Sequence, residues 1–188
     1  MEIRARFERA HITAEAYPEF VYFCEDAMRF LGFKMTWMQY DIAEYMQYAP
    51  DKAMVQAQRG EAKSTIACIY GVWNITQHLP TRVMLVSASG AKADENGVLM
   101  YGLVHNWDKL EYLIPDKSAR DRTSTSMFDI HYALKGVDKS PSVVCLGITA
   151  NLAGFRASLL IPDDIETQKT GGTAVQREQL LALSKEFT

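Results

Sequence analysis

Residues 57–64 carry a lysine and a serine at the spacing of a phosphate-binding loop. The segment reads AQRGEAKS, which matches the pattern GxxxxGK[ST] except that Ala57 and Ala62 replace both glycines. In such a loop, backbone amides at the start of a helix contact phosphates, Lys63 reaches the β and γ phosphates, and Ser64 holds Mg²⁺. The alternative is an ordinary loop with a surface lysine and a serine that caps the helix. The predicted nucleotide-binding residues here are Arg59, Gly60, Glu61, Ala62, Lys63, Ser64 and Thr65.

Paired carboxylates follow an apolar run about a hundred positions later. The segment LLIPDDIE ends in Asp163, Asp164 and Glu166. Enzymes that hydrolyse nucleotides on a phosphate loop use one carboxylate at a strand end to hold Mg²⁺, and a second to orient the attacking water. Asp163 fits the metal role, and Asp164 or Glu166 fits the catalytic role. The competing interpretation is a strand that ends in an acidic turn.

Gln39 and Arg59 each have a functional and a structural interpretation. Gln39 precedes the loop, where its amide could read adenine by donating and accepting hydrogen bonds. It also stands third after Thr36, which is the spacing of a capping box that closes a helix start. Arg59 could direct its guanidinium at the γ phosphate, or pair with Glu61 at the surface. The sequence leaves both alternatives open.

Helices and strands alternate around these residues. Apolar periodicity predicts helices over residues 18–31, 36–49, 64–77, 92–113 and 176–187. Short apolar runs predict strands over residues 52–57, 82–87, 127–130, 142–148 and 158–161, and residues 116–126 are predicted to form a solvated loop. The predicted fold is therefore a three-layer α/β domain of the phosphate-loop NTPase type, with a mainly parallel central sheet flanked by helices.

Length and composition are those of one globular domain. The chain has 188 residues, 48% hydrophobic and 23% charged, with a net charge of −3. We expect a single domain over residues 1–188, with a helical lead-in at 1–35 and the NTPase core at 36–188. The acidic balance argues against a generally basic nucleic-acid binder. Three separated cysteines are predicted to be buried thiols, and no apolar run is long enough to cross a bilayer.

Five stretches together resemble the ATPase domain of phage large terminases, most closely the DNA maturase B type of short-tailed podophages. They are WMQYDIA at 37–43, QAQRGEAKS at 56–64, VMLVSAS at 83–89, PSVVCLGIT at 141–149 and GFRASLLIPDDIE at 154–166. The similarity runs from about Phe20 to the C-terminus. An arginine four positions before the lysine is typical of terminases, so Arg59 is the most discriminating match.

The resemblance implies an ATP-driven motor that moves double-stranded DNA into a procapsid. It implies ATP and Mg²⁺ as cofactors, with Gln39 at the adenine, Arg59 and Lys63 at the phosphates, and Ser64 and Asp163 at the metal. The implied partners are DNA, the portal protein, a small terminase subunit and further copies of the chain in a ring. The ring forms on the procapsid in the host cytoplasm, and a monomer in solution is compatible with it. An arginine from a neighbouring subunit could complete the site, with Arg120 and Arg122 as candidates.

Two departures qualify the expected activity. Family members normally carry glycine where Ala62 stands, so a positive φ there would strain the loop and predicts weak nucleotide binding or slow turnover. The family also continues with a coupling motif and a nuclease domain, so we expect a C-terminally truncated ATPase without nuclease activity. The alternatives are a helicase-like DNA-dependent ATPase and a packaging assembly module with a degenerate nucleotide site.

Overall fold

The computed structural model describes residues 1–150 and 154–165. In this part of the chain, a five-stranded sheet packs against α-helices. The helices are α1 (Ile3–Ala16), α2 (Phe20–Phe30), α3 (Trp37–Tyr48), α4 (Lys63–Gln77), α5 (Gly90–Asn106) and α6 (Tyr132–Lys135). The strands are β1 (Val83–Ser87), β2 (Thr123–Ser124), β3 (Met127–Phe128), β4 (Val143–Gly147) and β5 (Leu159–Asp163), and two 3-10 helices span Asp108–Leu113 and Lys117–Ala119.

The sheet is mixed, in the order β2-β3-β4-β1-β5. β1 is parallel to both β4 and β5, whereas β2 and β3 form a short antiparallel hairpin beside β4. All five residues of β1 are buried, as expected for an apolar strand in the middle of a parallel sheet. The register aligns Ser87, Gly147 and Asp163. Three strand ends therefore meet at one edge.

The main core lies between the sheet and α4 and α5. Val83, Leu85 and Ile161 belong to this core, together with the apolar faces of both helices. Close approach is possible because Gly71 of α4 has no side chain: a methyl group there would stand 3.0 Å from Val83 Cγ1. A smaller cluster, which includes Met84, Val86, Val144 and Ile148, lies on residues that alternate with the first set.

Most predicted elements are confirmed. The helices predicted over 18–31, 36–49 and 64–77 correspond to α2, α3 and α4, and the runs at 82–87, 142–148 and 158–161 form β1, β4 and β5. Helices α1 and α2 lie inside residues 1–35, and the division of the chain at residue 35 stays a prediction. The predicted helix over 176–187 lies outside the described residues. Helices α4 and α5 both pack on one side of the sheet. The helical layer predicted for the other side therefore stays a prediction.

The strand predicted over residues 52–57 is wrong. This segment is irregular and mostly exposed, with 81% of the Met54 surface accessible to solvent. Its apolar residues form a short run of strand length, but no strand of the described residues lies beside it to complete a hydrogen-bonded ladder. A short apolar run forms a strand only where a neighbouring strand accepts the backbone hydrogen bonds.

The helix predicted over 92–113 and the loop predicted over 116–126 also need correction. Regular helix ends at Asn106, because Trp107 adopts an extended backbone conformation and its ring packs against Phe23 and Phe30. The chain then continues as the 3-10 helix Asp108–Leu113. The charged segment that follows holds a second 3-10 helix and the strand β2, which starts the hairpin.

None of the helices in the described residues combines the length and the apolar character that a bilayer crossing requires.

The hairpin turn and α5 are in close backbone contact at Gly97. A methyl group on Gly97 would overlap the carbonyl oxygen of Thr125. We therefore predict that Gly97→Ala lowers the free energy of unfolding by about 2 kcal/mol, since backbone on both sides must shift.

Gly102→Ala on the same helix is the control. The nearest atom to a methyl group on Gly102 would be the amide nitrogen of Asn106 at 3.8 Å, so this substitution should stabilise the chain by up to about 1 kcal/mol. Urea unfolding of both variants tests this, and equal shifts would contradict it.

The three cysteines are buried and unpaired, as predicted. Burial raises the pKa of Cys24 and of Cys145 to about 12, and raises that of Cys68 well above its ordinary value. We expect Ellman's reagent at pH 8 to leave the native chain unlabelled and to label all three thiols after unfolding. Ser118→Cys, at an exposed position, is the positive control. Rapid labelling of the native wild-type chain would contradict the packing.

Candidate functional site

Ser64 and Asp163 come together where α4 begins and β5 ends. The Ser64 hydroxyl donates a hydrogen bond of 2.7 Å to Asp163 Oδ1, across 99 positions of sequence. Asp163 is only 7% exposed. The two residues that were predicted as metal ligands from separate motifs are thus direct neighbours in the fold.

Asn96 and Ser87 belong to the same cluster, and neither was predicted from the sequence. The Asn96 amide donates to Asp163 Oδ2 at 2.9 Å and to the Ser87 hydroxyl at 3.2 Å. Ser87 is fully buried at the end of β1, and Asn96 is 4% exposed on α5. A buried asparagine within an otherwise apolar helix stripe was the signal available in the sequence, because such a side chain needs polar partners.

Lys63 folds back onto the loop that precedes it. Its ammonium group donates to the carbonyl oxygens of Ala57 at 2.7 Å and of Gln58 at 3.2 Å. Ala62 precedes α4 without a polar side chain, so the first N–H groups of the helix have no side-chain cap. A lysine and a set of uncapped helix N–H groups therefore stand beside Ser64, which is an arrangement suited to an anion.

Ala62 is held in a left-handed backbone conformation, with φ 55° and ψ 30°. Gly60 also has a positive φ, of 101°. Glycine adopts such angles without penalty, whereas an alanine is strained in them by roughly 1 to 2 kcal/mol. The positive φ that predicts a strained loop is therefore present at Ala62.

Gln39 forms the capping box. Its backbone N–H donates to the Thr36 hydroxyl at 3.4 Å, and its side-chain oxygen accepts from the Thr36 N–H at 3.0 Å. Its side-chain nitrogen donates to the Glu61 carbonyl oxygen at 3.4 Å. Both polar atoms of the Gln39 amide are engaged, and they join the start of α3 to the loop. Because an amide has two N–H groups and an oxygen with two lone pairs, recognition of a base by Gln39 does not require these bonds to open.

Glu61 has its carboxylate directed to the same junction. It accepts hydrogen bonds from the Thr36 hydroxyl at 3.4 Å and from the Gln58 amide at 3.0 Å. Its predicted surface pairing with Arg59 is not formed. Within the described residues, the exposed Arg59 side chain makes no hydrogen bond or ion pair.

The remaining predicted residues are less closely gathered. Asp164 directly follows β5, is exposed and has a positive φ of 46°, which aspartate tolerates better than most residues. Thr65 lies in the first turn of α4 and is half-buried. Glu166 lies outside the described residues.

The two arginines proposed to act on a neighbouring subunit differ. Arg122 pairs with buried Asp129 at 3.3 Å and donates to the Lys139 carbonyl oxygen at 2.6 Å. Its guanidinium thus ties the hairpin to the segment before β4. Arg120 is exposed and has a left-handed backbone conformation.

Lys92 adds positive charge on the α5 side of the cluster. Its hydrogen bond to Glu95 raises the pKa of Lys92, and the negative charge of Asp163 acts in the same direction. Lys92 therefore stays protonated at neutral pH, and its charge is paired with the Glu95 carboxylate at 3.0 Å.

The oxygen ligands at this site suit Mg²⁺. Ser64 and Asp163 offer a hydroxyl and a carboxylate, which are hard donors of the kind that Mg²⁺ prefers. No group of three or more histidine, cysteine, aspartate or glutamate side chains in residues 1–150 and 154–165 is arranged to hold a metal ion. The described residues thus fit a Mg²⁺ ion that takes its other ligands from phosphate and water.

Strain at Ala62 predicts that glycine is the better residue at this position. Ala62→Gly should raise the free energy of unfolding by about 1 kcal/mol, and should tighten ATP binding by making the loop conformation easier to hold. Ala67→Gly, in the regular part of the same helix, should instead lower stability by about 1 kcal/mol or more. Urea unfolding and ATP titration of both variants measure these effects. Loss of stability in Ala62→Gly would contradict the strain.

Comparison with known proteins identifies a relative of the chain. No protein-family model matches the chain. The chain is 33% identical over 180 residues to the terminase large subunit of Enterobacteria phage T3, an alignment that covers 95% of this chain and 30% of the relative. The chain therefore spans less than a third of the length of that protein. Because the similarity extends over nearly the whole chain, it indicates common ancestry: the chain is a homologue of the phage T3 terminase large subunit.

Proposed function

We propose that this chain is the ATPase motor part of a phage large terminase, which uses Mg²⁺ and ATP to move double-stranded DNA into a procapsid. The observation that carries the proposal is the 2.7 Å contact between Ser64 and Asp163, beside Lys63 and the uncapped start of α4. Homology to a terminase large subunit supports the same assignment.

Lys63 and the loop backbone would bind the phosphates. Lys63 is held by two neutral carbonyl oxygens, and a phosphate is a stronger acceptor for an ammonium group than either of them. Its release toward the β and γ phosphates needs rotation of one side chain. The N–H groups of the first turn, including those of Ser64 and Thr65, would donate to the same phosphates. Arg59, exposed and unpaired within the described residues, is free to approach the γ phosphate.

Ser64 and Asp163 would hold Mg²⁺. When bound, the ion would neutralise charge on the transferred phosphoryl group. The chain's part is to keep two oxygen atoms side by side at the start of α4, which the buried position of Asp163 achieves. Asp164 or Glu166, just beyond β5, would orient the attacking water.

A groove next to the loop offers space for the nucleoside. It has a volume of about 540 Å³ and lies between α3, with Met38, Ile42 and Tyr45, and residues 54–58. Apolar side chains of this kind suit the face of a purine base. We propose Gln39 as the residue that reads adenine, through the second hydrogen of its side-chain amide nitrogen.

The proposed partners follow from the terminase assignment. They are double-stranded DNA, the portal protein, the small terminase subunit and further copies of this chain in a ring, with the work done in the host cytoplasm. Arg120 is the better of the two proposed arginines for a neighbouring site, because Arg122 is engaged by Asp129.

A packaging module that binds nucleotide poorly and acts through protein contacts is the second candidate. The left-handed conformation at Ala62 favours it, because strain in the loop opposes a well-formed phosphate site.

Phosphate release with and without double-stranded DNA tests the proposal. We expect ATP hydrolysis in the wild-type chain, and a loss of about 100-fold or more in Lys63→Ala, since a charge that stabilises the transition state is removed. Lys52→Ala, at an exposed lysine of the preceding segment, is the matched control and should hydrolyse ATP like the wild type.

The same assay separates the two candidates. Hydrolysis that Lys63→Ala leaves unchanged would contradict the ATPase assignment. Specific binding to the packaging proteins, with no hydrolysis by either the wild type or Ala62→Gly, would favour the assembly module.

A further inference from the structure

Asn96 is the side chain that fixes the orientation of Asp163. Its amide nitrogen has two hydrogens, and both are used, one on Asp163 Oδ2 and one on the Ser87 hydroxyl. The Asp163 carboxylate is thus held from opposite sides, by Asn96 on Oδ2 and by Ser64 on Oδ1. Rotation of the carboxylate would break both bonds.

The chemical type of Asn96 matters as much as its position. A buried carboxylate needs hydrogen-bond donors to offset its lost hydration. Lysine or arginine at position 96 would provide them but would also cancel the charge that attracts a cation. An amide donates without carrying charge, so Asp163 keeps its full negative charge for a metal ion on the Ser64 side.

Asn96 is itself held firmly. The Cys68 thiol on α4 lies 3.8 Å from the backbone carbonyl oxygen of Asn96 and donates to it. The next residue, Gly97, is in backbone contact with Thr125 of the hairpin. Because α4, α5 and the hairpin all contact this position, the Asn96 amide has one fixed place relative to Asp163.

We propose that Asn96 is the positioning residue for Asp163 and sets the Mg²⁺ affinity of the nucleotide site, an inference that rests on the proposed function. Asn96 acts through Asp163 and does not touch the nucleotide. Partners that orient a metal ligand typically change metal affinity by 10- to 100-fold when removed. A role in stability alone would leave the Mg²⁺ requirement unchanged.

The test measures binding of a fluorescent ADP analogue to the full chain, first in EDTA and then during a Mg²⁺ titration. We expect Asn96→Ala to bind the analogue like the wild type in EDTA, and to need about tenfold more Mg²⁺ for the half-maximal increase in affinity. Asn96→Ser, whose hydroxyl is too short to span the same distance, should shift in the same direction.

Thr76→Ala is the control for loss of a buried hydrogen bond. Thr76 is 2% exposed on α4 and donates to the Trp73 carbonyl oxygen at 2.7 Å. It should lower stability and leave the Mg²⁺ requirement unchanged. An equal shift in Thr76→Ala, an unchanged requirement in Asn96→Ala, or failure of both Asn96 variants to fold would overturn the inference.

Failure of the proposed function gives a different result. If the wild-type chain does not bind the analogue with Mg²⁺ present, or if Lys63→Ala binds it equally well, the proposed function fails and this inference fails with it. Mg²⁺-dependent binding by the wild type that is lost in Lys63→Ala, with no effect of Asn96→Ala, overturns the role of Asn96 alone.

Discussion

The parallel pairing of β1 with both β4 and β5 is the constraint on which the site depends. Parallel strands direct their carboxyl ends to one edge of a sheet, and the register here brings Ser87 level with Asp163. The first turns of α4 and α5 lie at this edge as well, since Ser64 contacts Asp163 and Gly90 approaches Gly147. A shift of one residue in the pairing of β5 would turn Asp163 to the opposite face, away from Ser64 and Asn96.

Local sequence patterns predicted most elements of the fold, because each reports the burial of one helix face or one strand. They failed at residues 52–57, where a short apolar run has no neighbouring strand in the described residues, and at Trp107, where packing against two aromatic rings ends α5. Both failures depend on contacts between distant segments, which are missing in the first case and present in the second. Such contacts leave no trace in the periodicity of the segment itself.

The site shows the same division. Ser64 and Asp163 were identified separately by their motifs, and the fold joins them. Asn96 was missed because no local motif distinguishes it. Its role depends on two partners that lie on strands, Ser87 of β1 and Asp163 of β5. Gln39 had two interpretations, of which the capping box is formed. The terminase resemblance is supported by homology, while the catalytic roles of individual residues are proposals that pattern and geometry motivate.

The contact between Gly97 and the hairpin has a consequence for how this chain can vary. On the α5 side the contact needs the absence of a side chain, whereas on the hairpin side it involves backbone atoms, namely the carbonyl group of Thr125 and the Cα atom of Ser126. Every residue type has that carbonyl group. We therefore expect position 125 to accept other side chains and position 97 to require glycine, and a gain or loss of one residue between α5 and β3 would displace the turn from its place on the helix.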